Sequence, residues 1–364
     1  MELLLRGVMV ALIGATLAVA NIDLEVKIAE QLQHFSDYRF PDAKHKDSWL
    51  KAREYIKEQF ESYGLAVQTQ TFSTTIETST GDTAVEGTNI IGVARATSDK
   101  PGAVLVVGAD YDTNTRKEPG PLFNNGAGVA SLLETSRLFM HSVFRLEHTT
   151  VFVAFDLNTK EHDSGPGKPG GWYFVNEWLW EYMNQSDTHF GGAFVLDSLM
   201  NVNQDKSTQV ASEEFHLMFP ETYSRIVESN FKGNFLSLVT FPEKKSIDLK
   251  EQFSGNYNKL RMRNPFRLED MTLPNKTTMS ELLSELTTQD TIHFWSFTNN
   301  GTATPLPAVL VTDTETLRQN PAPCGSHMSN RELADGRPGR FSHSTVKALT
   351  STLLKRQASR LTGG

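Results

Sequence analysis

The sequence predicts an α/β fold, a three-layer sandwich in which helices flank a mixed, mostly parallel central sheet. Two continuous apolar runs, 104–109 and 151–155, have the composition of strands that are buried on both faces. Segments with apolar residues at helical spacing separate the predicted strands, and such alternation of strands and helices is typical of this architecture. At 364 residues the chain is long enough to bury the large core that such a sandwich needs.

Each further element follows from its periodicity or from its flanking residues. In 47–63 apolar residues recur at helical spacing, and Gly64 directly afterwards is a typical helix end. In 126–140 the apolar positions again lie on one helical face. Alternating apolar and polar residues predict strands 65–72 and 88–96. The remaining predicted elements are helix 171–180, strands 193–196 and 305–311, and helix 344–354.

The segment 215–286 is more polar and less regular than the rest of the chain. We interpret it as an elaboration within a single domain, 21–364, because no repeat and no low-complexity linker divides the sequence. The domain organisation is therefore predicted to be a short N-terminal segment, 1–20, followed by one α/β domain.

Composition and charge exclude several classes of protein. The formal net charge is −8, from 43 acidic and 35 basic residues, whereas a protein that binds nucleic acid needs a basic face. The composition is also unlike that of a disordered chain, a collagen-like fibre or a multi-span membrane protein. Cys324 is the single cysteine, so the chain forms no intramolecular disulfide and no zinc site made of four thiolates.

The N-terminal segment 1–20 predicts the secretory route. It carries Arg6 ahead of an apolar run that closes on Ala-Val-Ala, as a cleaved signal peptide does. We therefore expect the protein to be secreted or to lie in the lumen of the secretory pathway. Glu2 weakens the positive charge of this segment, so an uncleaved anchor stays open as the alternative, and the membrane is an expected partner only in that case. N-glycosylation sequons begin at Asn184, Asn275 and Asn300.

Three further motifs have structural interpretations. Gly126 and Gly128 fit a tight turn that packs the start of a helix against the sheet, with Asn124 or Asn125 as its N-cap. The aromatic residues in 172–182 are expected to pack mostly into the core, with some of them exposed. The short basic stretch KRQASR near the C-terminus complements a helix dipole and is too short for nucleic acid.

Several motifs resemble, in order along the chain, the zinc aminopeptidases and carboxypeptidases of peptidase family M-twenty-eight. VLVVGADYDT resembles the family's buried strand that ends in His-x-Asp, and LFNNGAGVASLLETSRLF resembles its Asp-Asp-Asn-Gly-Ser-Gly loop and following helix. VFVAFDLNT resembles the strand that leads into Glu-Glu, and FVLDSLM the strand that ends in a liganding Asp. TTQDTIHFW and PAVLVTDTETLRQNPAPCGS resemble the last segments. The resemblance implies a zinc-exopeptidase-like fold.

The resemblance also implies a catalytic centre with two zinc ions that share a water molecule. In the family, two His, a bridging Asp, a second Asp and a Glu bind the metals, and a neighbouring Glu is the general base that deprotonates the water. By this resemblance Asp197 keeps its ligand position, and Asp112 keeps the position that supports the first His.

The departures from the family's pattern fall on the ligand positions themselves. Asp110 stands where the first His belongs, and Cys324 where the final His belongs. Asn124 replaces the bridging Asp, and a neutral amide cannot supply a bridging negative charge. Asn158 and Thr159 replace the general-base Glu and the liganding Glu, and neither takes a proton from water at neutral pH. The positions of a zinc centre are thus vestigial.

These departures predict a catalytically inactive homologue, a pseudoenzyme with a binding or scaffold role, whose former active-site cleft holds a peptide or protein partner. Zinc is expected as a cofactor only in an active protein, and tight zinc binding is not expected. The alternative is an active zinc-dependent aminopeptidase or exopeptidase with a divergent site, rebuilt with Glu161, His162 or His327. Glutaminyl cyclases, which have the same fold and use one zinc, retain Asp, Glu and His together at these positions, and this chain does not. A third hypothesis, a membrane-anchored luminal subunit, depends on the uncleaved anchor.

Overall fold

The computed structural model describes residues 24–78, 81–98, 102–113, 120–142, 145–158, 167–260, 265–274, 290–314, 318 and 337–358. Several residues singled out above lie outside this part of the chain. They are the segment 1–20 and Thr159, Glu161, His162, Asn275, Cys324 and His327.

The described residues form a central sheet of eight strands and a separate small hairpin. The strands are β1 Ala66–Thr78, β2 Gly81–Ala94, β3 Ala103–Asp110, β4 Thr149–Phe155, β5 His189–Asp197, β6 Phe235–Thr240, β7 Arg267–Thr272, β8 Thr298–Asn299, β9 Thr302–Ala303 and β10 Ala308–Thr312. The order in the sheet is β1-β2-β4-β3-β5-β10-β6-β7, and β8 pairs with β9 in the hairpin. The central strands β4, β3, β5 and β10 are mutually parallel, while β2 and β6 pair antiparallel to β4 and β10.

Helices cover both faces of the sheet. They are α1 24–33, α2 Lys46–Ser62, α3 Ala127–Ser142, α4 Gly170–Tyr173, α5 Trp180–Ser186, α6 Glu213–Met218, α7 Pro220–Glu228, α8 Lys244–Lys259, α9 Thr291–Trp295 and α10 Arg337–Ala358. A π-helical turn, Phe174–Leu179, joins α4 to α5. No helix in the described ranges is long and apolar enough to cross a bilayer.

The core of the described residues consists of one layer on each side of the sheet and a smaller third cluster, in which Leu24 and Ile28 of α1 pack with Val346 of α10. On one side α2, α3, α8 and α10 pack side chains such as Phe60, Leu133 and Phe253 against alternate strand residues, among them Val107. On the other side α4 to α7 and α9 contribute Phe174, Ile226 and Trp295, among others, which pack against the strand residues that point the opposite way. This arrangement is the predicted three-layer α/β sandwich, and the fold class is confirmed.

The polar segment 215–286 supplies two strands to the same sheet. Within it lie α7, β6, α8 and β7, and β6 pairs with β10 along the sheet. In the aromatic cluster at 172–182 Phe174 is fully buried, and Trp178 stacks on Phe174 and Tyr182. The tryptophans and tyrosines are half-buried: Trp172, Tyr173, Trp178, Trp180 and Tyr182.

The direction of the central strands brings several carboxylates to one edge of the sheet. Asp110 is the last residue of β3 and Asp197 the last of β5, while Asp156 and Asp313 directly follow β4 and β10. Because these four strands are parallel, their carboxyl ends meet at the same edge, where open α/β sheets form their ligand sites.

Candidate functional site

A buried asparagine connects the ends of β3 and β5 at this edge. The side-chain amide of Asn125 donates to Asp110 Oδ1 at 2.8 Å and to the Leu196 carbonyl at 3.0 Å. Its oxygen accepts from the backbone N–H groups of Ser198 at 2.7 Å and Gly128 at 3.1 Å. The bond from Gly128 is that of a helix N-cap, so Asn125 rather than Asn124 caps α3. One fully buried amide therefore makes four hydrogen bonds and ties β3, α3 and β5 together.

Asn124 occupies the position where the resemblance implies the bridging ligand. Its side chain is 2% exposed, and its Oδ1 atom has no hydrogen-bond partner among the described residues. The amide of Asn124 carries no negative charge, whereas an aspartate at this position would carry one.

The loops after β5 and β10 are held together by two aspartates. Thr312 donates its hydroxyl to Asp197 Oδ2 at 2.9 Å. Asp313 Oδ2 accepts from the backbone N–H groups of Met200 at 2.9 Å and Asn201 at 2.7 Å. Asp313 was not singled out from the sequence, although it lies two residues after the predicted strand 305–311.

A second cluster lies beside the first and contains Asp112, Asn158 and Asp290, all buried. The backbone N–H of Asn158 donates to Asp112 Oδ1 at 3.2 Å, and its side-chain amide donates to Asp290 Oδ2 at 2.8 Å. Asn158 thus acts as a hydrogen-bond donor at the position where the resemblance implies a proton-accepting Glu. Asp290, within the motif TTQDTIHFW, is a member of this cluster that was not singled out from the sequence.

Asp156 is fully buried under the same cluster and accepts hydrogen bonds from four groups. Trp49 Nε1 donates at 2.8 Å and the Leu157 N–H at 3.0 Å to Oδ1, while the Thr88 N–H and the Tyr111 hydroxyl each donate at 2.7 Å to Oδ2. Burial, followed by the charge of Asp112, raises the pKa of Asp156 to about 7, and these hydrogen bonds only partly oppose the rise. Asp156 connects α2, β2 and the end of β4, and its role is structural.

The close approach of Gly128 to the Asn125 amide yields a testable prediction. A Cβ atom at Gly128 would lie 2.0 Å from Asn125 Oδ1, so Gly128→Ala must displace the amide. We expect a loss of about 2–3 kcal/mol in the free energy of unfolding, since a buried network would lose its geometry. Urea unfolding of the two proteins measures this loss.

Gly255→Ala is the matched control, because a Cβ at Gly255, in the interior of α8, would meet no atom within 4 Å. The free energy of unfolding of this variant is expected to rise by about 0.5–1 kcal/mol, because alanine has a lower backbone entropy than glycine in the unfolded chain. Similar effects of the two substitutions would contradict the geometry described for Asn125.

The described donors do not fit a centre of two zinc ions. Asp110 and Asp197 supply carboxylates, but Asn124 and Asn158 are neutral, and Asp110 Oδ1 already accepts from an amide N–H. In the described ranges, no group of three or more His, Cys, Asp or Glu side chains is arranged to hold a metal ion. Such centres need carboxylate or imidazole ligands at each position.

Comparison with known proteins identifies similar folds. No protein-family model matches the sequence, and no curated protein matches it either. The LapA aminopeptidase of Legionella pneumophila is 15% identical, with a TM-score of 0.51, and the match covers 94% of this chain and 74% of LapA. The glutaminyl cyclase of Porphyromonas gingivalis is 15% identical, with a TM-score of 0.54 over 92% of this chain and 98% of the cyclase.

A leucine aminopeptidase precursor from Bacteroides thetaiotaomicron is also similar, at 12% identity and a TM-score of 0.51, over 90% of this chain and 95% of the precursor. At such low identity the likeness concerns the fold alone. The chain has the α/β fold of these aminopeptidases and glutaminyl cyclases, as the sequence motifs predicted.

Proposed function

We propose that this chain is a secreted or luminal homologue of the metallopeptidases that has lost catalysis and serves as a binding or scaffold protein. Its former active-site cleft, at the carboxyl edge of the central strands, would hold a peptide or protein partner. The peptidase-like fold supports the ancestry of the site. The exposed side chains of Asn184 and Asn300 support the secretory route, because a glycan acceptor must be accessible.

The observation that carries this proposal is the hydrogen bond from the Asn158 amide to Asp290. A general base must accept a proton from water, but an amide at neutral pH accepts none. Here the Asn158 amide nitrogen lies 2.8 Å from Asp290 Oδ2 and donates to this carboxylate, so the side chain links the loop after β4 to Asp290. The Asn125 amide has the same relation to Asp110. The two bonds involve Asn158 and Asp110, at whose positions the resemblance implies a general base and a metal ligand, and they support the proposed loss of catalysis.

Zinc content together with hydrolysis tests the proposal. We expect the purified full chain, dialysed at neutral pH, to contain substoichiometric zinc and to release no arylamine from aminoacyl-arylamides above the protein-free rate. Addition of zinc should not change this result. Stoichiometric zinc together with hydrolysis that a chelator abolishes would overturn the proposal and favour the divergent aminopeptidase.

A combined variant checks the placement of the vestigial positions. It carries Asp110→His, Asn124→Asp, Asn158→Glu, Thr159→Glu and Cys324→His. We expect this variant to gain zinc, and a folded variant without any gain would contradict the assignment of these positions. N-terminal sequencing of the protein from a secreting host separates cleavage near Asn21 from a retained anchor.

A further inference from the structure

A cleft lies in the helical layer, between α8 and α10. These helices pack antiparallel, since Gln252 lies against Arg356 and Asn256 against Thr352. The cleft has a volume of about 360 Å³ and is open to solvent. Its lining residues are Glu251, Gln252, Gly255, Asn256, Lys259, Thr352, Lys355 and Arg356. We refer to it as the basic cleft.

Three cationic side chains and one carboxylate, that of Glu251, line the basic cleft. Arg356 is 5% exposed, and its guanidinium donates to Gln252 Oε1 and to the Gly191 carbonyl, each at 2.9 Å. Burial, partly opposed by the charge of Asp248, lowers the pKa of Arg356 to about 10, so the group stays protonated at neutral pH. A fixed positive charge therefore lies at the wall of the cleft.

The two lysines bring a pair of like charges together. Lys355 donates its amino group to Asn256 Oδ1. Lys259 lines the same cleft, both lysines are exposed, and the interaction with the Lys259 amino group lowers the pKa of Lys355. Each lysine alone is explained by its place near the end of a helix, where a cation complements the dipole. The helix dipoles do not explain why the two ammonium groups are neighbours, because their mutual repulsion is unfavourable unless an anion lies near both.

We propose that the basic cleft binds a tetrahedral oxyanion, namely the phosphate or sulfate group of a monoester. Lys259 and Lys355 would donate to the anion from the two helices, and the buried Arg356 would add its positive charge from the wall. An oxyanion of this kind offers several acceptor oxygens to convergent donors, and hydrogen bonds between ionised partners are the strong ones. The residues that line this site belong to α8 and α10 and are not those of the candidate site at the strand ends, so the inference goes beyond the proposed function.

Calorimetric titration of the full chain tests this inference, with sodium chloride keeping the ionic strength constant. The probes are inorganic phosphate, O-phosphoserine and glucosamine 6-sulfate. We expect saturable binding of inorganic phosphate and of at least one monoester, and the ester that binds more tightly identifies the source of the anion. The double variant Lys259→Gln/Lys355→Gln should weaken this binding about tenfold or more, because it removes two charge-assisted donors.

The matched control is Lys44→Gln/Lys51→Gln, which removes two exposed lysines far from the cleft in the chain and leaves the cleft intact. It should bind as the unaltered protein does. Equal loss in both double variants would show a general charge effect and overturn the proposal. Binding of inorganic phosphate without either ester, or binding that survives in Lys259→Gln/Lys355→Gln, would show an adventitious ion only and would also overturn it. A thermal melt of each variant verifies that it is folded.

Discussion

Asn125→Asp is expected to lower the free energy of unfolding by about 3–5 kcal/mol at pH 7.5, although the two side chains have nearly the same shape. The Asn125 amide nitrogen lies 2.8 Å from Asp110 Oδ1 and 3.0 Å from the Leu196 carbonyl. The substitution would place a carboxylate oxygen against two acceptors in a fully buried position. One of the two carboxylates must then hold a proton, or both remain charged and repel each other.

The loss of stability in Asn125→Asp should depend on pH, because the carboxylate at position 125 and that of Asp110 take up a proton in the folded variant. Two adjacent buried carboxylates raise one folded-state pKa above the unfolded value of about 3.9, so the folded variant gains stability below that pKa and loses it as pH rises. Urea unfolding at pH 5 and at pH 7.5 should therefore show the smaller deficit at pH 5. Asn176→Asp is the control, since Asn176 is half-buried and donates one bond, to the Trp172 carbonyl. A deficit independent of pH would contradict the contact between Asn125 and Asp110.

Asp156 yields the second large effect, on the pH dependence of stability. Its pKa is raised from 3.8 to about 7, chiefly by burial, so between these values the folded protein binds a proton that the unfolded chain does not. Protonation of Asp156 therefore stabilises the folded protein fully below about pH 4, and this stabilisation is lost as the pH rises to about 7. The variant Asp156→Asn has no carboxyl to titrate and serves as the reference. Relative to this variant, the free energy of unfolding of the unaltered protein should fall by up to about 4 kcal/mol across this window, at 1.36 kcal/mol per pKa unit.

The comparison with Asp156→Asn is needed because other groups titrate in the same window with the opposite sign. Burial lowers the pKa of His293 to about 3, so stability from the neutral imidazole is lost on acidification below its unfolded value of 6.5. Both proteins keep His293, so its contribution cancels in the difference of their unfolding free energies between pH 4 and pH 7.5. A difference between the unfolding free energies of the unaltered protein and Asp156→Asn that does not change between pH 4 and pH 7.5 would disprove the raised pKa of Asp156.

Local patterns predict the central elements well and the peripheral ones poorly. The runs predicted as strands at 104–109 and 151–155 are β3 and β4 with nearly the same bounds, because strands buried on both faces must be apolar throughout. The hairpin of β1 and β2 extends well beyond the predicted ends, to Thr78 and Gly81. Threonine and other polar residues dominate its outer part, where Ile76 is a buried apolar residue on the face that Phe72 begins. The apolar alternation is therefore weak there, and the pairing between the two strands shows how far they extend.

The candidate site shows the same division between local and distant information. The positions of Asp110 and Asp197 follow from strand ends, which periodicity locates. The bond between Asn158 and Asp290 joins residues 132 positions apart, and no local pattern near either residue specifies the other. The sequence offers Asn125 as a cap for α3, but the bonds of its side chain to Asp110 and Leu196 depend on how β3 and β5 pair.

The sequence by itself determined the α/β class, the parallel central strands and the residue types at their carboxyl ends. These properties depend on hydrophobic periodicity and on the chemistry of single side chains, which are local. Only the tertiary structure decided that Asn125 and Asn158 donate to carboxylates, that Asp156 has a raised pKa, and that Lys259 and Lys355 are neighbours. Hydrogen bonds, burial and charge repulsion arise between groups that the packing of distant elements brings within a few ångströms, and the order of residues along the chain does not encode those distances locally.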